Sequence, residues 1–87
     1  MAVVWIPSLM RDLTGGQEQV SAPGTTVGEV IAALDEAFPG IKGRLCVGEQ
    51  IDPALAVFVD GKIVRLGLLA SVGNDSEIRF LPAIAGG

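Results

Sequence analysis

The spacing of apolar residues changes several times along this chain, and each change predicts an element. Ala2 to Ile6 is an unbroken apolar run that includes Val3, Val4, Trp5 and Ile6, and it meets Pro7 at once. It reads as a first strand. With Val4 and Ile6 toward a core, Val3 and Trp5 fall on the opposite side, because successive side chains alternate across a strand. A loop from Arg11 to Gly16 contains Thr14-Gly15-Gly16, and the alternation from Gln17 to Ala22 predicts a second strand with Val20 inward. The two strands make a hairpin with a long turn.

Pro23-Gly24 breaks that strand, and the period then becomes helical. Val27, Val30, Ile31, Leu34 and Phe38 form one apolar stripe, with Glu29, Asp35 and Glu36 off it. Thr26 and Glu29 fit a capping box, and Pro39-Gly40 stops the helix, after which Ile41 packs back beneath it. From Lys42 to Ala54 the pattern is weak: Leu45, Cys46 and Val47 suggest a short strand, and Gly48 to Pro53 a loop. The strongest hairpin signal is Asp60-Gly61, set between Ala56-Val57-Phe58-Val59 and Lys62-Ile63-Val64-Arg65. Asp-Gly supplies the positive φ angles of a type I′ turn, and with Val57 and Val59 inward Phe58 faces out. Leu68, Leu69 and Val72 lead through Gly73-Asn74-Asp75 to a last strand around Ile78 and Phe80. Pro82 is expected to end it, having no N–H to give to a ladder.

One amphipathic helix needs a surface to cover, so the prediction is an α+β fold: a mixed four- to five-stranded sheet covered on one face by one main helix. The other face stays open, and Trp5, Phe58 and Leu81 are the apolar residues expected there. Residues 1–82 are expected to form one domain, with residues 83–87 a flexible tail. In that tail Ala83, Ile84, Ala85, Gly86 and Gly87 have uncharged side chains, which leaves the α-carboxylate of Gly87 as its candidate working group. Without a Cβ, Gly86 and Gly87 can thread a narrow channel and present an acyl carbon that no side chain crowds.

Composition narrows the function classes. The 87 residues are 49% hydrophobic and 18% charged, with a mean hydropathy of +0.54, so some apolar surface is expected against a partner. A net charge of -4 argues against nucleic acid and for a basic partner surface. The chain has no histidine and one cysteine, and no glycine-rich phosphate loop followed by Lys and Ser or Thr, which leaves no enzyme site, no metal cluster and no iron–sulfur centre to argue for. Cys46, between apolar neighbours, reads as a core filler rather than a nucleophile. Asp35 and Glu36 are adjacent charges on a solvated helix face rather than a catalytic pair. A lone thiol, no secretory signal and no long apolar run predict a cytoplasmic protein with no membrane span.

Four stretches together resemble the β-grasp sulfur carriers, the family of ThiS and MoaD, which share the ubiquitin fold. They are Ile6-Pro7, Thr14-Gly15-Gly16-Gln17, Thr26-Val27-Gly28-Glu29-Val30-Ile31, and Leu81-Pro82-Ala83-Ile84-Ala85-Gly86-Gly87. The likeness covers nearly the whole chain, and the Ile-Pro and Thr-Gly-Gly-Gln features look most like the CysO-type carriers that serve cysteine synthesis in actinobacteria. The resemblance implies a protein carrier that binds no cofactor and catalyses nothing itself. An adenylating enzyme of the ubiquitin-activating class, MoeB/ThiF-type, would use ATP to activate the Gly87 carboxylate, and a sulfur donor would leave a thiocarboxylate there. A sulfur-accepting synthase would then take the tail, with Ala83, Ile84, Ala85 and Gly86 lining its channel and Trp5, Phe58, Arg79 and Leu81 forming the docking face. Close relatives in that family feed molybdopterin, thiazole, thionucleosides, cysteine or thiosugars. Three readings compete: the small subunit of a molybdopterin synthase, a ubiquitin-like modifier conjugated through Gly87, and a plain interaction module with an inert tail.

Overall fold

The computed structural model describes residues 1–83. Strand β1 (Ala2–Trp5) pairs antiparallel with β2 (Gln19–Ala22), Val4 opposite Val20. Val4 and Ile6 are buried and Val3 and Trp5 half-buried on the other side, as alternation requires. The second strand begins two residues later than expected because Thr14 and Gln17 tie the loop down. The Gln17 N–H and its Nε2 both donate to the Thr14 carbonyl, and the buried Thr14 hydroxyl donates to the Gln17 carbonyl at 2.9 Å.

Helix α1 (Val27–Ala37) starts at Thr26, whose side chain accepts the Glu29 N–H at 3.2 Å. The expected capping box is shifted by one residue. Glu29 reaches back to Thr25, accepting its N–H at 2.8 Å and its hydroxyl at 3.0 Å, and these bonds hold the Glu29 carboxyl below the usual carboxylate range. Val27, Val30, Ile31 and Leu34 are buried against the sheet, and Phe38 caps the helix. Gly40, at φ 101°, turns the chain into α2 (Ile41–Leu45), a single turn with Ile41 and Leu45 buried. Asp35 accepts the N–H groups of both Gly40 and Lys42 at 3.1 Å, so its carboxylate ties the two helices together. Cys46 opens β3 (Cys46–Val47), which pairs with β4 (Gln50–Ile51) in a separate two-stranded sheet. It is buried in the core, and burial raises its thiol pKa despite nearby Lys42.

The Asp60-Gly61 turn joins β5 (Leu55–Val59) to β6 (Lys62–Ile63), with φ of 52° and 82° at its two central residues. That is the type I′ geometry the dipeptide predicts. The strand arm after the turn is shorter than expected, although Val64 still donates to the Val57 carbonyl. The Asp60 carboxylate then reaches the next element, accepting from the Ser76 hydroxyl at 2.8 Å and the Glu77 N–H at 3.0 Å. Those bonds hold its pKa below the usual range, the backbone N–H first.

The last strand, β7 (Glu77–Pro82), does not lie at an edge. The five-stranded sheet has the order β2-β1-β7-β5-β6, with β1 and β7 parallel and all other pairs antiparallel. Ile78 and Phe80 are buried beneath α1 with Val4, Ile6, Val57 and Val59. The result is the β-grasp architecture: a mixed sheet with one main helix across one face. Pro82 does not end the pairing as expected. It sits opposite Leu55, and the Ala83 N–H donates to the Ala54 carbonyl at 2.8 Å.

Candidate functional site

Proline at 82 is tolerated because hydrogen bonding alternates along β7. Residues 77, 79, 81 and 83 turn their backbone groups to β5, so the nitrogen of Pro82 points to the β1 side. On that side β1 has already ended. Val3 donates to the Ser76 carbonyl at 2.8 Å, and Val3, Val4 and Trp5 lie opposite Glu77, Ile78 and Arg79. Continued beyond the Trp5–Arg79 pair, the same alternation would call on the N–H groups of Pro7 and Pro82. Neither exists, so the parallel ladder stops there from both strands at once.

Beyond that stop β7 runs on with a neighbour on one side only, and a groove of about 330 Å³ opens on the other. Pro7, Leu9, Trp5, Leu81 and Pro82 line it, together with Arg11 and Arg79. Its outer wall is a short 3₁₀ turn, Ser8–Met10, braced from outside. Arg44 donates to the Leu9 carbonyl at 2.9 Å and pairs with Asp12 at 3.3 Å, while Arg11 Nε donates to the Ile6 carbonyl at 3.2 Å. Leu9, held in that wall, is 86% exposed.

On the open face of the sheet the register lines up one row, Gln19, Trp5, Arg79, Phe58 and Ile63, one residue per strand. The Arg79 guanidinium lies 4.1 Å from the centre of the Trp5 ring, a cation–π contact. Trp5 Nε1 donates to Glu77 on the far side at 3.2 Å. Leu81 lies one step nearer the tail, opposite Ala56. The structure thus brings Trp5, Phe58, Arg79 and Leu81 onto one uncovered face and sets Ala83 just beyond it. Ile84, Ala85, Gly86 and Gly87 lie outside the described residues. No three His, Cys, Asp or Glu side chains are grouped to hold a metal among the described residues, and no helix there is long and apolar enough to cross a membrane.

Pro7, Leu9 and Arg11 are the site residues that sequence reasoning did not single out for the site. The one signal for them was the Ile6-Pro7 pair, whose partner in the fold, Pro82, is 75 positions away and is found only once β1 and β7 are known to be neighbours.

The ThiS family model matches residues 4–87. The chain belongs to the ThiS family. The sulfur carrier protein CysO of Mycobacterium tuberculosis is 36% identical over 94 residues, an alignment that covers 97% of this chain and 96% of that one. The crystal structure of that organism's CysO superposes with a TM-score of 0.89 at 32% identity, over 97% of this chain and 100% of the other. A chain in the crystal structure of the Amycolatopsis orientalis BexX/CysO complex superposes with a TM-score of 0.91 at 38% identity, each chain covered in full. This ThiS-family protein is a sulfur carrier of the ThiS/CysO type, and such carriers are not themselves catalysts.

Proposed function

We propose that the Gly87 carboxylate is the loading point of this carrier. A MoeB/ThiF-type enzyme directs a carboxylate oxygen onto the α-phosphorus of ATP, forming an acyl adenylate and releasing pyrophosphate. A sulfide-equivalent donor then attacks the acyl carbon and expels AMP, which leaves a thiocarboxylate. A synthase accepts the loaded tail and consumes its sulfur, in cysteine synthesis or in the making of another sulfur-containing metabolite. Ala83, Ile84, Ala85 and Gly86 line the partner's channel, and Trp5, Phe58, Arg79 and Leu81 form the face on which the partner docks.

The observation that supports this reading is the way β7 carries the chain out. It is the central strand, fixed on both sides as far as Arg79, and it then projects past the end of β1 beside an uncovered apolar face. A partner that grips this face holds the tail's root at a fixed place, which is what delivery of a terminal group into a buried site requires.

The test is intact mass after incubation with ATP, a sulfide source and the host's activating enzyme. Replacement of one oxygen by sulfur adds about 16 Da, and fragmentation should place it at Gly87. Gly87→Val should fold normally and gain nothing. Loading of Gly87→Val at the wild-type rate would defeat the proposal, and conjugates to other proteins with Gly87 still a carboxylate would favour a ubiquitin-like modifier.

A further inference from the structure

The net charge of -4 points to a basic partner, but the groove at the root of the tail has the opposite sign. Its lining contains two guanidiniums, Arg11 and Arg79, and no carboxylate. Arg11 is occupied: it donates to the Ile6 carbonyl and stands 3.8 Å from Glu18. Arg79 forms no ion pair among the described residues and stands over the Trp5 ring, in the lining of the groove. Leu9 and Leu81 offer exposed apolar surface on either side. The Phe80 carbonyl faces the groove and has lost its ladder donor, because that donor would be Pro7.

Together these features describe a complementary shape. Building on the carrier reading above, we infer that the activating enzyme fills this groove with an extended segment that brings a carboxylate to Arg79 and apolar side chains to Leu9 and Leu81. A backbone N–H of the same segment can satisfy the Phe80 carbonyl. Contact is governed by the charge at the contact rather than by the total on the molecule, since at physiological salt fields from distant carboxylates are screened within about 8 Å. The acidic remainder of the surface keeps the carrier from settling on that partner in other orientations.

The experiment is steady-state adenylation of the carrier by the host's activating enzyme, monitored through pyrophosphate release, with KM for the carrier and kcat measured separately. Arg79→Glu should raise KM about tenfold or more with kcat unchanged, and Arg79→Lys should keep most of the affinity. Raising salt from about 50 to about 300 mM should raise the wild-type KM and lower that of Arg79→Glu, because the same screening that weakens attraction in the wild type weakens repulsion in the variant. Lys42→Glu, on the helix layer, serves as the control for total charge and should change little. Far-UV circular dichroism and the denaturation midpoint verify that each variant folds.

An Arg79→Glu KM that is unchanged or lower overturns the inference, as does a rise in Arg79→Lys as large as that in Arg79→Glu, or an equal rise in Lys42→Glu. These outcomes leave the carrier reading intact because the wild type is still adenylated. Failure of the wild type itself to be adenylated removes both.

Discussion

The two halves of β7 serve different ends. From Glu77 to Arg79 the strand is paired on both sides, with β1 and with β5, and Ile78 between them is fully buried. From Leu81 to Ala83 it is bonded to the β5 side alone, and Leu81 stands 44% exposed beside an open groove. The difference comes from the neighbour and from one residue of the strand itself. Pro7 and Pro82 withdraw the two N–H groups that would have continued the parallel ladder, so a structural strand becomes a presenting one within a single residue.

Substitutions in the two halves should separate stability from partner binding. The largest effect should be that of Ile78→Ala, which leaves a cavity beneath α1 and should cost about 3 kcal/mol in denaturant unfolding. A loss well under about 1 kcal/mol would mean that the first half is not the spine of the sheet. Leu81→Asp should cost less than about 0.5 kcal/mol of stability, since the side chain is solvated, yet weaken binding to the activating enzyme about tenfold. Equal binding would take Leu81 off the docking face.

The smallest effect concerns the clamp at the start of the strand, where Asp60 accepts from Ser76 and Glu77. Because its folded pKa is depressed, the stability it adds is present above the unfolded carboxylate value near pH 4 and is lost as pH falls through the lower folded value. Glu29, depressed by Thr25, acts in the same sense. Unfolding free energy measured from about pH 5 downward should therefore decline in the wild type and decline less steeply in Asp60→Asn. An unchanged slope would mean that the clamp contributes nothing to the acid limb.

Elements that announce themselves locally were legible in the sequence. The α1 stripe, the Asp60-Gly61 turn and the inward positions Val4, Ile6, Val57 and Val59 each follow from a period or a required φ, and all are found where expected. The single turn Ile41–Leu45 was missed because five residues, one of them Gly43, are too few to show a helical period. The wall from Ser8 to Met10 was missed for the same reason. Pro82 was misread because its cost depends on which side of the strand its nitrogen faces, and that is settled by the register with β1. The open face was legible as a set of alternating residues, but its ordering into one row with Arg79 on Trp5 needs the strand order. No local signal carries that order, since β1 and β7 meet from opposite ends of the sequence.

That long-range pairing also has a mechanical meaning. β1 and β7 lie side by side and parallel, so tension applied between Ala2 and Pro82 loads the hydrogen bonds joining them in shear. Bonds in shear share the load and fail together, whereas those of a hairpin pulled open from its end break in succession. A pull on the tail against a hold on the start of β1 runs along this resistant axis. Such a force enters the middle of the sheet rather than an edge strand.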